Sequence, residues 1–384
     1  MIGRYNQLCP VTYGPGAVAT LGDLCKQMGL EKVLLVSDPR VLELGHTQKA
    51  ADSLKAAGVA YEIFSHIETD APDYTVEEGA EMARSMDAKA IVSIGGGSTL
   101  DSGKAIAAFA VNGKTMDQFL DITVPPMPGP QLPIISIPTT SGTGSENTIV
   151  AVITNTKTHW KCGVFTPPAA AIVDPELTLT VPADVTAYTG MDAFSHCSES
   201  LSSALVPNPH SETLCYDGLE RIARWLPVAV KEPGNLEARE NLAIASNYAG
   251  IAFADAAVHL GHAMAHAMGA HFHIPHGIAC AWVTPVIIEY MADACPQKFE
   301  RMGKIIGAKL TGNVETLGKE VGDAVRELAK TVAIPSCTDL NLTREGLIDC
   351  TDYVSKEIMS TFGIKKPDAA KISELFGQLY DYNS

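Results

Sequence analysis

Eleven histidines are spread over 384 residues, and six of them fall in VHLGHAMAHAMGAHFHIPHG, from Val258 to Gly277. A neutral imidazole is a metal ligand and a proton carrier that titrates near neutrality, so this density points to metal binding or proton transfer. Residues four apart share a helix face, which lets His262 and His266 point into one cavity, with His259 a turn earlier on nearly the same side. Gly269 and Pro275 bracket the expected helix end, and His276 follows on what reads as a loop able to fold back. Upstream, in GMDAFSH, Asp192 and His196 are also four apart. One carboxylate and several imidazoles, with no thiolate, is a donor set for Fe²⁺, Zn²⁺ or another borderline divalent ion. Taken singly, His259, His271 and His273 read as satisfied core histidines. Spacing alone does not separate His266 from the ligands.

No lysine or arginine lies between Lys161 and Arg221, or between Arg239 and Lys298. Both candidate ligand segments thus lack the cations that a heavily phosphorylated substrate requires, so the polarising charge is expected to be the metal's own.

Two further stretches suit a nucleotide. AIVSIGGGSTLDSGKAIAAFA reads as a strand, a glycine loop at Gly95, Gly96, Gly97 and Ser98, and a helix from Asp101, the arrangement in which bare N–H groups and a helix N-terminus receive a phosphate. It matches neither a Walker A loop, with Ser98 and Ala105 at required positions, nor G-x-G-x-x-G, with Leu100 in place of glycine. IPTTSGTGSENT follows another strand and offers the hydroxyls of Thr139, Thr140, Thr143 and Thr148 and of two serines. Two such loops on one sheet point to a nucleotide beyond the strand ends. Asp38 closes the strand KVLLVSD, where a carboxylate bonds a ribose hydroxyl and repels a 2′-phosphate; this favours NAD over NADP, although an Asp before Pro39 is also a turn former.

These loops need a sheet to carry them. KVLLVSD, VAYEIF, AIVSIGGG, PIISIPTT and AAIVDP read as strands, alternating with amphipathic stretches over Val41–Ala57 and Val76–Met86, so the first half is expected to be a parallel α/β sheet with crossover helices. After LTLTVPADV the strand signals fade and helices of ten to twenty residues follow, broken at VPNPH, KEPGN, HIPHG and AIPSC. Two domains are expected, 1–180 α/β and 181–384 all-α.

Composition removes other classes. A formal charge of −16 repels nucleic acid and anionic membranes. No apolar run is long enough to span a bilayer, and the N-terminus lacks a basic region followed by an apolar stretch, so a cytoplasmic location is expected. Nine scattered cysteines without C-x-x-C indicate neither a disulfide framework nor a thiolate zinc site, and are expected to be reduced and mostly buried.

Taken in order, GGGSTLDSGKA, PTTSGTGSE, DPELTLTVP, TGMDAFSH and GHAMAHAMGAHFHIPHG resemble the motifs of the iron-dependent (group III) alcohol dehydrogenases over nearly the whole chain. The resemblance implies a Rossmann-like nucleotide domain and a helical metal domain, with NAD(P) and one divalent ion in a cleft between them, in the architecture shared with dehydroquinate synthase. By motif match the ligands are Asp192, His196, His262 and His276, with His266 facing the reacting centre as a proton relay or positioning group. Gly95 to Ser98 hold the pyrophosphate, and Thr139, Thr140, Thr143, Thr148, Lys161 and Leu179 surround the cofactor, with Asp38 at the position tied to cofactor choice. A dimer or larger homo-oligomer is implied. Alanine commonly precedes the lysine of the glycine loop, and GIKKPDA replaces the usual C-terminal Asn-Pro-Arg, near the substrate. The expected reaction interconverts a small primary alcohol and its aldehyde with NAD(H). Candidate substrates are lactaldehyde, 3-hydroxypropionaldehyde, a short aliphatic aldehyde, or sulfoacetaldehyde, whose anion Lys365 and Lys366 would meet. The rival readings are a metal- and NAD-dependent lyase similar to dehydroquinate synthase, against which the cation-free segments argue, and a non-catalytic metal or nucleotide sensor.

Overall fold

The computed structural model describes Tyr5 and residues 7–121, 129–205 and 208–384. Two compact units form, Gln7–Val181 and Pro182–Ser384. The first contains β1 (Val11–Tyr13), β2 (Lys32–Ser37), β3 (Ala60–Phe64), β4 (Ala90–Gly95), β5 (Ile134–Pro138), β6 (Val150–Asn155), β7 (Trp160–Phe165) and β8 (Ala170–Val173). Its helices are α1 (Leu21–Gln27), α2 (Pro39–Glu43), α3 (His46–Ala57), α4 (Asp73–Ser85), α5 (Gly97–Phe109) and α6 (Met116–Phe119). Six strands make one parallel sheet in the order β1-β8-β5-β4-β2-β3, and β6 and β7 make a separate antiparallel pair.

The central strands are apolar on both faces because helices cover both. Val33, Leu35, Val92, Ile94 and Ile135 pack with Leu21, Ala50 and Leu54 of α1 and α3. Leu34, Val36, Ile91 and Ile134 pack with Val76 and Ala80 of α4 and Ile106 of α5. The chain leaves β2 toward β3 on one side and β4 toward β5 on the other. Strand order therefore reverses between β2 and β4, where the carboxyl ends of strands open a crevice.

Several elements differ from the sequence expectations. The stretch Val41–Ala57 is two helices, broken at Gly45 with φ 76°. The helix after β4 starts at Gly97 instead of Asp101, so the glycine run is its cap and first turn. Short β1 and the β6–β7 pair were not expected; the turn between the latter is closed by the Asn155 side chain, which accepts from the backbone of Lys157 and Thr158 at 3.0 and 3.1 Å.

The second unit is helical: α7 (Ala183–Leu201), α8 (Pro209–Lys231), α9 (Leu236–Ala256), α10 (Leu260–Phe272), α11 (His276–Met291), α12 (Pro296–Ile305), α13 (Val314–Thr331), α14 (Arg344–Asp349), α15 (Thr351–Lys356) and α16 (Ala369–Asn383). At its centre α11 is apolar nearly all round and packs on α7, α10, α13 and α16. Close approach of α11 to α7 requires Gly277, where a Cβ would collide with the Tyr188 carbonyl. All nine cysteines are free, and all but Cys295 are buried. No described helix is long and apolar enough to cross a membrane.

Candidate metal centre and nucleotide loop

Three helices of the second unit bring the predicted donors together. α7 presents Asp192, His196 and Glu199 at spacings of four and seven, one face of a helix. His262 and His266 project from α10, and His276 opens α11. Around Asp192 Oδ1 stand three imidazole Nε2 atoms, that of His276 at 3.5 Å and those of His196 and His262 at 3.8 Å each. These separations are too long for good hydrogen bonds and suit donors that share an ion. His196 lies flat between Phe253 and His262, with ring centroids 4.4 and 4.6 Å away.

The donor set passes a direct test of fit for a divalent ion. Asp192 Oδ1 and His262 Nε2 are buried and have no hydrogen-bond partner among the described residues, an arrangement that costs about 1–3 kcal/mol per group unless something else binds them. Burial alone would push the Asp192 carboxyl up, but His196, His276 and His262 hold it well below the usual carboxylate range. Burial likewise opposes charge on His262, yet Glu199 and Asp192 push it up to about 10. Two buried carboxylates thus draw positive charge to this point, and a divalent cation supplies it. Asp192 and His262 are buried, whereas the side chain of His276 is 34% exposed, so the cluster opens on that side.

Two features depart from the expectations. His276 is the first residue of α11, capped by Pro275, and not a loop residue. A cysteine thiol also lies closer to the donors than the sequence suggested. Among the described residues, Asp192, His262, His276 and Cys280 each offer a donor atom within 4.8 Å of the others, and Cys280 is buried one turn along α11 from His276.

In the first unit the loop residues gather at the strand ends between β2 and β4. Gly96 caps α5, so the first N–H groups of that helix lack intrahelical partners and face outward. Thr139 N donates to Gly95 O at 2.9 Å, Thr140 lies beside Gly96, and a Cβ on Gly97 would clash with the Thr143 methyl. Asp38 caps α2, accepting from Val41 N at 3.0 Å, and its second oxygen accepts from Thr99 Oγ1 at 2.9 Å, which ties it to the loop. Ser98 Oγ accepts from Asp70 N at 3.1 Å, and Asp70 pairs with Lys161 at 2.8 Å. Thr148 sits deeper: its hydroxyl accepts from Lys104 Nζ at 2.8 Å and donates to Val150 O at 2.9 Å. Leu179 closes the short helix that follows β8.

Residues 10–175 match the sequence profile described as iron-containing alcohol dehydrogenase, and residues 186–380 match that of the C-terminal part of the Fe-containing alcohol dehydrogenase family. The chain belongs to the iron-containing alcohol dehydrogenase family. A 1,3-propanediol dehydrogenase of Citrobacter freundii is 34% identical over 375 residues, 96% of each chain. The crystal structure of a 1,3-propanediol oxidoreductase superposes with a TM-score of 0.93 at 32% identity, covering 99% of this chain and 100% of that one. A sulfoacetaldehyde reductase from Bifidobacterium kashiwanohense, solved in complex with NAD⁺, superposes with a TM-score of 0.89 at 29% identity, covering 99% of each chain.

In this alcohol dehydrogenase, several site residues escaped the sequence reading. Glu199 Oε1 accepts from His262 Nδ1 at 2.9 Å while Oε2 accepts from the His259 backbone N–H at 2.5 Å. Burial would raise the Glu199 carboxyl, but His262 and His259 hold it at about 2, so it is an anion. Gly261 makes room for it, since a Cβ there would strike the carboxylate. Glu357 Oε1 bonds His266 Nδ1 at 2.9 Å. His259 itself is a core residue, its Nε2 2.9 Å from Ser202 Oγ. Lys104 is fully buried, and its ammonium reaches Ser145 Oγ and Thr148 Oγ1 at 2.8 Å each and the Val150 carbonyl at 3.1 Å. Lys365 is not the open cation that the sequence suggested: its ammonium binds the Tyr290 carbonyl at 2.6 Å and pairs with Asp293. Lys366 is exposed.

Proposed function

We propose that this dehydrogenase interconverts a small, uncharged primary alcohol and its aldehyde, using NAD(H) and one divalent ion, iron or zinc, held by Asp192, His196, His262 and His276. The observation that carries the reading is the buried Asp192 Oδ1 and His262 Nε2, 3.8 Å apart and without hydrogen-bond partners among the described residues. When bound, the ion supplies Lewis-acid polarisation of the substrate oxygen and NAD(H) supplies the hydride.

The chain's own residues do the rest. Glu199 accepts from His262 Nδ1, so it is the Nε2 proton that a bound ion would displace, and the Nε2 lone pair would then meet the ion beside Asp192. Glu357 likewise accepts from His266 Nδ1, which makes His266 Nε2 the atom that gives or takes the hydroxyl proton of the substrate. Gly95, Gly96, Gly97 and Ser98 receive the pyrophosphate, with Thr139, Thr140 and Thr143 beside it and Thr148, Lys161 and Leu179 around the cofactor. Asp38, already linked to the loop through Thr99, faces the ribose and favours NAD over NADP.

Charge narrows the substrate. With Lys365 engaged by Asp293 and the Tyr290 carbonyl, one of the two C-terminal lysines that would meet a sulfonate is already neutralised, so 3-hydroxypropionaldehyde, lactaldehyde and short aliphatic aldehydes rank above sulfoacetaldehyde. The relatives acting on 1,3-propanediol support the same order. A negative, reduced-thiol protein of this family suits a cytoplasmic homo-oligomer. The test is NADH oxidation by the metal-loaded enzyme across these four aldehyde classes. Turnover of a neutral aldehyde with higher kcat/KM than sulfoacetaldehyde is expected. Preference for sulfoacetaldehyde would overturn the substrate class, and no turnover with any of them would favour a lyase or a sensor.

A further inference from the structure

The hairpin of β6 and β7 grips the loop between β3 and α4. In that loop the chain passes through Asp70 at φ 65° and Ala71 at φ 48°, the left-handed region that residues with a Cβ disfavour. Among the described residues no other two neighbours both adopt it. One rung of the hairpin, Thr154 opposite Lys161, imposes this shape. Thr154 N donates to the Ala71 carbonyl at 3.0 Å, Thr154 Oγ1 donates to the Asp70 carbonyl at 2.7 Å, and the Lys161 ammonium donates to Asp70 Oδ1 at 2.8 Å. From the other side Asp70 N donates to Ser98 Oγ at 3.1 Å, in the first turn of α5. Disfavoured backbone held from two sides points to a side chain placed for function. Stability does not account for it, since the Asp70 side chain is 59% exposed and an ion pair so open to water contributes little.

The pair stands beside a loop built for an anion. Gly96 caps α5, whose first N–H groups lack intrahelical partners, and a Cβ at Gly95 or Gly97 would strike Thr99 or Thr143. Lys161 is brought to Ser98 through Asp70, and its ammonium is already engaged by that carboxylate. We propose that Asp70 is a positioning residue that competes with the dinucleotide for Lys161, and so holds cofactor affinity down and speeds NADH release. The proposal rests on the NAD(H) reading above. An ammonium that donates to Asp70 offers an oxygen of the cofactor a partly neutralised charge, in a direction set by the carboxylate. Product release limits turnover in many enzymes, which gives a restraint on affinity a use.

Asp70→Asn tests this with little disturbance, because asparagine keeps the side chain's size and adopts the left-handed region as readily as aspartate. NADH binding to the full-length, metal-free protein is read by NADH fluorescence, and dissociation by stopped-flow displacement with excess NAD⁺. The variant should bind NADH about three- to tenfold more tightly, with a dissociation rate lower by a similar factor. A damaged loop would lower affinity, so a gain separates this role from a structural one. In a Lys161→Gln background the same Asp70→Asn change should alter affinity by less than about twofold, since the contested ammonium is gone. Unchanged or weaker NADH binding by Asp70→Asn, or an equal gain in both backgrounds, overturns the proposal and leaves the NAD(H) reading standing. A parent protein that binds no NADH overturns both.

Discussion

Replacing Glu199 with glutamine tests whether a buried carboxylate sets the donor atom of His262. Both carboxylate oxygens are engaged: Oε1 takes the His262 Nδ1 proton at 2.9 Å, and Oε2 takes the His259 backbone N–H at 2.5 Å, with His259 Nδ1 3.3 Å away. An anion with two acceptors satisfies both donors at once, and the His262 proton belongs on Nδ1 for that reason. Glutamine offers one acceptor and one donor. If its oxygen faces the His259 N–H, its amide N–H₂ meets Nδ1, and the His262 proton must shift to Nε2, where it blocks an ion. If its oxygen faces His262, the His259 N–H is buried against a donor, at a cost of about 1–3 kcal/mol. Either outcome weakens the site. Metal affinity should fall by roughly 10–100-fold, about 1.4–2.7 kcal/mol. Urea unfolding of the chelated protein should show a loss of about 1–3 kcal/mol if the second orientation dominates and less if the first does. Zinc competition against a chromophoric chelator gives the affinity. A Glu199→Gln variant that holds zinc as tightly as the parent refutes the orienting role.

The remaining predictions concern other parts of the two candidate sites. His262→Ala and His276→Ala should copurify with little metal and lose alcohol oxidation, while His271→Ala and His273→Ala keep both, since His271 Nδ1 bonds the Ala267 carbonyl at 2.8 Å and His273 only closes α10 with φ 54°; metal analysis beside rates decides. His266→Ala should keep its metal and lose activity by roughly 10²-fold, and a metal-free preparation of that variant would make His266 a ligand. Asp38→Asn should relax the NADH preference by about tenfold, about 1.4 kcal/mol, yet leave stability nearly unchanged because asparagine preserves the α2 cap; equal kcat/KM for NADH and NADPH in the parent would remove the basis for this assignment. Lys104→Met should lower the unfolding free energy by about 3–5 kcal/mol in denaturant titrations, since it strips a fully buried ammonium from Ser145, Thr148 and the Val150 carbonyl and leaves Asp101, 3.8 Å away, without its ion partner.

The parallel sheet was legible because strands buried on both faces leave unbroken apolar runs, as KVLLV, AIVSI and PIISI do. The β6–β7 pair was not. Burial does alternate along β6, but Val150 and Val152 on its outer side are as apolar as Ala151 and Ile153 within, so residue type carries no period of two. Much of the metal cluster was legible from one rule, that residues four apart share a helix face: it gives Asp192 with His196 and His262 with His266. Glu199 obeys the same geometry, seven residues after Asp192, but an acid on a helix is usually solvated, and only its contact with His262 shows otherwise. Glu357 is beyond any local rule, because 91 residues separate it from His266. Cys280 was hidden for a different reason. Pro275 and Gly277, read together as chain breakers, placed His276 in a loop, whereas each has its own cause: proline caps the start of α11, and glycine is required where α11 meets the Tyr188 carbonyl. Once His276 stands on the helix, the spacing of four that found the other donors leads directly to Cys280. Whether two turn-forming residues end a helix or begin the next thus decides, in this chain, whether the Cys280 side chain is expected beside the candidate donors.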